Sequence, residues 1–275
     1  MIIWSKIRRN IFNKTGGIFV KETATEARLK ALEKKVGILE DINEVKRLQR
    51  VYSYYVMHMM RDEIYNLFAD RDDVTLHWLE GTWKGKEGVK RYFGVGSDRP
   101  ESPPGFLHQV MPIAGVVDVA PDGKTAKGRW YSFGGVAVPD QKTGKTRPSI
   151  VGGLYEIDYI KENGVWKMWK IDWIIPLGIR IPPESWTSVE QLGERVRGFK
   201  MSEPDIPMPD FDPRFVSGYI FPFHYNHPVT GKPTSEGKKN ARLLSNFKLA
   251  EKTVKKSFAA APKKTAKAKP KSRKK

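Results

Sequence analysis

The sequence predicts an α+β domain in which helices come first and a curled antiparallel sheet then folds over them to make a pocket. Two observations carry this. Apolar residues recur at spacings of three and four from Leu29 to Tyr55, as on a helix with one buried stripe, and four later segments of strand character are separated by Gly-containing turns. Helices followed by a run of strands is the α+β pattern, and 275 residues with 39 % hydrophobic content and eight tryptophans can bury one substantial core.

Residues 1–37 read as an irregular start, broken at Thr15-Gly16-Gly17, followed by a leading helix that could pack on a neighbouring subunit. The stripe runs through Leu29, Leu32, Val36, Leu39, Ile42, Val45, Leu48, Val51 and Tyr55, and Gly37 is expected to separate the leading helix from a main helix starting near Asp41. A second helix is expected over about 60–68, ended by the turn formers Asp70-Arg71-Asp72-Asp73 before a strand at 74–79. After a turn at Gly81, residues 85–93 have helical spacing with Lys90 and Arg91 near the end, which suits the helix dipole. A Gly/Pro/Ser loop spans 94–105. Strands are expected at 107–119, 124–138, 149–161 and 165–175, joined by turns at Asp122-Gly123, Thr143-Gly144 and Asn163-Gly164.

The folded domain is therefore placed at 38–176. Prolines recur beyond Pro176, so 177–250 reads as an extended arm with a short helix at 187–196, wrapping its own domain or an adjacent subunit. The aromatics Phe211, Phe215, Tyr219, Phe221, Phe223 and Tyr225 require a surface to bury against. Residues 251–275 form a Lys-rich tail too polar to fold alone. Residues 252–275 hold eleven Lys or Arg and no acid, so they supply +11 of the formal +18 and leave +7 for residues 1–251. The basic charge reads as a solvated tail, with weak contact to acidic polymers or surfaces as the second reading and a specific nucleic-acid site as the third, and no groove-reading motif accompanies it.

Other classes are excluded more directly. With no cysteine, the chain has no disulfide, no thiolate zinc site and no cysteine nucleophile. The pair His224 and His227 lies in FHYNHP without an acidic ligand cluster, which favours turn chemistry over a metal site. No Gly-rich phosphate cradle opens a helix and no Gly-x-Ser-x-Gly elbow occurs, which disfavours nucleotide chemistry and serine hydrolysis. Neither a secretory signal nor a transmembrane stretch is evident, so the expectation is a cytoplasmic protein without membrane contact.

Several segments together resemble the SnoaL-like branch of the nuclear transport factor 2-like superfamily. These are LEDINEVKRLQRVYSYYV with DEIYNLFADRDDVTL and GTWKGKEGVKRYF, then VVDVAPDGKTAKGRW and LYEIDYIKENGVWKMWKIDW, covering about 38–176. The resemblance implies a curved sheet wrapped over the N-terminal helices into a cone-shaped α+β barrel, to which this chain adds its Pro-rich arm. It also implies proton-transfer chemistry without metal or organic cofactor, as in scytalone dehydratase, polyketide cyclases and lignin-derived diarylpropane formaldehyde-lyases. Fold does not settle function, because the superfamily also holds non-catalytic binding and assembly modules.

Within that resemblance His108 takes the place of the catalytic base, since a neutral imidazole can accept a proton and return it. Family dehydratases hold an aspartate on the first long helix, and Met57 stands there in this chain. On the helix face of Met57, Tyr54 and Arg61 are expected to reach the cavity and hold developing negative charge. His58 projects about 100° away from Met57. Strand alternation points Trp130 and Ser132 inward and Lys127 and Arg129 outward, puts Tyr155 in phase with Ile157 and Tyr159, and puts Asp172 on the face of Trp166 and Met168. Asp172 is then a candidate to orient His108, with pairing to a cation at the barrel end as the other reading. Either His77 or Trp78 faces inward. The catalytic set is thus His108, Arg61, Tyr54 and Asp172, and the substrate-binding set Trp78, Trp130, Tyr155, Trp173, Met57 and His58, acting on a small phenolic aromatic in a homo-oligomer, dimer or trimer.

Overall fold

A computed structural model describes residues 23–98, 102, 105–140, 143, 146–182, 205 and 223–234. The expected helix at 187–196, the aromatics between 211 and 221, residues 1–22 and the tail lie outside the described residues.

Helix α1 (Ala24–Met57) starts with a capping box: the Thr23 hydroxyl accepts from the Glu26 amide at 3.2 Å, and the Glu26 carboxylate accepts from the Thr23 amide at 2.8 Å. The expected break at Gly37 does not occur. Gly37 is helical, with nothing within 4 Å of where its Cβ would stand, so its cost is only the weaker propensity of one residue in 34. The helix ends at His58, and Met59 takes a left-handed φ of 49° that turns the chain into α2 (Arg61–Asn66).

Residues 75–84 form a hairpin, β1 (Thr75–Trp78) and β2 (Gly81–Lys84), where the sequence suggested one strand and a turn. Helix α3 (Gly85–Phe93) follows and closes on Gly94, whose φ of 67° is the left-handed cap that glycine favours. The long strands are β3 (Leu107–Val119), β4 (Thr125–Pro139), β5 (Thr146–Glu162) and β6 (Val165–Arg180). The sheet order is β2-β1-β6-β5-β4-β3, antiparallel except where β1 runs parallel to β6. It is a curved, unclosed sheet over the N-terminal helix, an α+β cone.

Three register irregularities bend it, one of them between Gly152 and Leu154 of β5. In β3 a bulge between Ile113 and Val116 places Ala114 at φ 52°, and the neighbouring Gly115 leaves room for the Trp130 indole, whose ring atoms lie as near as 2.0 Å to where a Cβ would stand. A second bulge, opposite Asp158 and Tyr159, leaves Trp169 without a partner on β5. This insertion shifts the parity of β6, so that Trp166 and Met168 face the core before it and Ile171 faces the core after it.

The buried face of α1 (Val45, Leu48, Tyr52, Tyr55, Val56) packs on the concave side of the sheet with Trp130, Tyr155, Ile157, Tyr159, Met168 and Ile171. Polar clamps fix the helix in place. Tyr159 donates to Gln49 Oε1 at 3.0 Å and accepts from Trp130 Nε1 at 3.2 Å. Nearer the amino end, Asp41 accepts from Trp166 Nε1 at 2.8 Å and from Lys161 Nζ at 2.5 Å. Asp41→Ala leaves both donors without this acceptor in a part-buried site, and a loss of about 2 kcal/mol in unfolding free energy is expected from chemical denaturation.

Candidate functional site

On the concave side, α1, α3, β1 and the long strands bring aromatic side chains around His108. Trp173 is the hub. Its indole stacks on Tyr155 at 5.3 Å and 15°, meets Trp78 edge-on at 5.5 Å and lies 5.9 Å from the His108 ring. Its N–H donates to Ser132 Oγ at 2.9 Å, which fixes the ring plane. Trp78 also contacts Tyr92 of α3 at 5.5 Å, and Tyr92 contacts Trp83 at 4.8 Å. The strands that carry these groups explain the convergence: Trp130, Tyr155 and Trp173 are register partners across β4, β5 and β6.

Burial pushes the phenols of Tyr52, Tyr92 and Tyr155 well up from their ordinary value, so all three remain neutral donors. Tyr52 is raised further by the charge that Tyr155 and Tyr92 would carry if ionised. The Trp78 N–H is buried without a hydrogen-bond partner among the described residues, so this donor is available to a ligand's acceptor atom.

His108 is half-buried at the start of β3, yet its titration is governed by burial, which depresses it to about 4. Its own backbone pulls in the other direction, and no charged side chain contributes. The ring is therefore neutral at pH 7, lies beside Trp173 and is engaged by its own main chain, with no charged side chain among the described residues acting on it.

Asp172 departs from expectation. The bulge at Trp169 turns it to the convex face, where it is exposed and stands in register with Glu156 and His77. There it joins a charged surface row in which Arg129 pairs with Glu156 and Lys127 with Asp158, so it does not orient His108. Tyr54 is a second correction. It is 53 % exposed on the outer side of α1, while Tyr52 occupies the inner side. Met57 is half-buried at the end of the helix, 100° around from Val56. Arg61 donates to Ser97 Oγ at 3.2 Å and so engages the loop after α3. His58 is buried, with its carbonyl accepting from Ser102 Oγ at 2.8 Å.

The strand residues fall as expected: Trp130, Ser132 and Tyr155 are buried, Lys127 and Arg129 face outward, and Trp78 rather than His77 is inside, His77 bonding Thr82 at 2.7 Å. Trp130 is committed to Tyr159 and forms the floor. Two site residues were missed, Tyr52 and Tyr92. The spacing Leu48, Tyr52, Tyr55 carried the signal for the first, and the helical phase of Val89 and Phe93 offered a weaker one for the second.

Part of the arm lies against the same helix. Tyr55 packs edge-on with Phe223 at 5.7 Å and stacks on His227 at 5.5 Å, and its hydroxyl meets Thr234 Oγ1 at 3.4 Å. His227 accepts from the amides of Val229 and Thr230 through Nδ1 and bonds the Glu63 carbonyl through Nε2, the turn chemistry expected of it.

Residues 37–172 match the model of the SnoaL-like domain. No curated protein matches the chain. Among solved structures, a protein of Novosphingobium aromaticivorans ascribed to the scytalone dehydratases is 16 % identical, covering 54 % of this chain and 92 % of its own, with a TM-score of 0.44. A nuclear transport factor 2-like protein of Salmonella enterica is 13 % identical over 56 % of this chain and 99 % of its own, at 0.39. The hexachlorocyclohexane dehydrochlorinase LinA-type3 of Novosphingobium barchaimii is 16 % identical over 58 % and 98 %, also at 0.39.

Proposed function

The chain carries a SnoaL-like domain, and from that premise we propose a cofactor-independent lyase that uses acid/base chemistry on a small phenolic aromatic. The observation that carries this reading is a neutral His108 beside a wall of tryptophan and tyrosine in which the buried Trp78 N–H has no protein acceptor among the described residues. Trp78, Trp173 and Tyr155 offer flat faces and edges to an aromatic ring, and the unpaired Trp78 N–H suits an oxygen on which negative charge develops.

In a dehydration, His108 takes the proton from carbon, the C–O bond breaks, and the hydroxyl leaves as water with the proton that His108 returns. In a 1,3-diol of the diarylpropane type, His108 instead takes the proton of the primary carbinol. The C–C bond then breaks to release formaldehyde, its electron pair forms the new C=C, and the benzylic hydroxyl leaves as water with that same proton. Both routes balance without an external oxidant or reductant. Turnover of phenolic carbinols, diarylpropane diols and hydroxynaphthalenes without added cofactor is the test, with formaldehyde and the alkene as the products read. Turnover of at least one class is expected; none across a broad panel would remove the reading.

The depressed titration of His108 sets the pH dependence. A base must be unprotonated, so kcat/KM is expected to stay flat from pH 8 to about 5 and to fall as the pH drops through about 4, below the ordinary range of a solvent-exposed histidine. A limb near 6.5 would mean that another group carries the proton.

A second reading is favoured by one observation, the methionine at position 57 in place of an acid. A ligand-binding module with this fold would bind the same phenols in the aromatic cluster and release them unchanged.

A further inference from the structure

We propose that the first half of α1 is a two-stranded parallel coiled coil formed with a second copy of this chain. Residues 24–36 are exposed all round, and the first buried residue of the helix is Asp41, so about 25 Å of helix projects from the domain. A free helix of this length is marginal in water, and one that also carries an apolar stripe is stabilised by covering it. The stripe is Leu29, Leu32, Val36 and Leu39, between 51 and 60 % exposed, and no described residue covers it. The intervals of three, four and three place these residues at a, d, a and d of two heptads.

The flanking charges choose the partner and its direction. With Leu29 at a, the g positions are Arg28 and Lys35 and the e positions are Glu33 and Glu40. In a parallel, in-register pair, each g residue faces the e residue five positions later on the other helix, which sets Arg28 against Glu33 and Lys35 against Glu40 twice over. An antiparallel pair would set g against g and e against e, bringing cation to cation and acid to acid. The next a position is Asn43, exposed, a residue that at this position specifies register in two-stranded parallel coils. Leucine at both d positions with a β-branched Val36 at one a position also favours two strands over three.

The chain has no cysteine, which makes single-cysteine cross-linking of the full-length protein unambiguous. In a parallel in-register coil, identical a positions lie opposite one another within disulfide reach, whereas f positions face away. Leu29→Cys is expected to form a disulfide dimer under mild oxidation at a yield roughly tenfold above Lys34→Cys at the f position. Sedimentation of the wild type and of Leu32→Glu/Leu39→Glu is expected to show that the double substitution halves the mass of the assembly, with circular dichroism reporting an intact domain. Equal cross-linking at 29 and 34, or an unchanged mass in the double variant, would overturn the proposal. Cross-linking only when Leu29→Cys and Leu39→Cys chains are mixed would overturn it in favour of an antiparallel pair, and a monomeric wild type would show that the chain covers the stripe with its own segments.

Discussion

His108→Ala is expected to lower turnover by about 10²–10⁴-fold while leaving the fold intact. The ring is half-buried at a strand start, is hydrogen-bonded to its own main chain rather than to another side chain among the described residues, and touches the site through its 5.9 Å approach to Trp173. Removing it therefore deletes proton transfer without breaking a core contact network. The conservative replacement His108→Gln keeps polarity and approximate volume but has no titratable nitrogen, so it is expected to be as inactive as alanine. Steady-state kinetics on the best substrate of the panel, with the melting temperature as a control for folding, checks both. Unchanged turnover in either variant would take His108 out of the mechanism, and retained ligand affinity with no turnover in the wild type would favour the binding module.

The second large effect concerns stability. Gly115→Ala would set a Cβ as near as 2.0 Å to the ring of Trp130, and the indole cannot retreat because Tyr159 holds its N–H from the core side. Overpacking of this kind is expected to cost about 3 kcal/mol, because Trp130 must leave its rotamer or the β3 bulge must open. The corresponding fall in melting temperature is roughly 6–12 °C for a domain of this size. The floor of the aromatic cluster moves with Trp130, so activity is expected to fall beyond what lost stability explains. Differential scanning calorimetry reads the first effect, and a melting temperature within a degree of wild type would mean that the bulge relaxes freely.

The sequence was most legible where the backbone was regular. In β4 no bulge disturbs the central register, so alternation alone placed Trp130 and Ser132 inside and Lys127 and Arg129 outside. The same reasoning failed in β6 because a single unpaired residue, Trp169, inverts the parity between Met168 and Ile171, and nothing in residues 165–175 announces a bulge. Asp172 was carried to the wrong face by that one insertion.

On α1 the error was of another kind. Tyr54 was chosen by its spacing from Met57, a residue off the buried face, whereas counting from Val45, Leu48 and Tyr55 leads to Tyr52. Glycine's poor helix propensity suggests a break at Gly37, but one unfavourable residue does not outweigh a helix that is capped at Thr23 and anchored from Asp41 onward. The wall built by Trp78, Tyr92, Tyr155 and Trp173 depends on which of β1's two aromatic faces turns inward and on where α3 docks. Both are tertiary facts that a linear pattern does not encode.

The proposed lyase depends on a half-buried histidine beside Trp173 that desolvation keeps neutral. NMR titration of the His108 ring in labelled protein, with and without a phenolic ligand, tests this most directly. The expected result is a ring that stays neutral down to about pH 5, titrates near 4, and changes its resonance on ligand binding. A ring that titrates near 6.5 and ignores the ligand would contradict it.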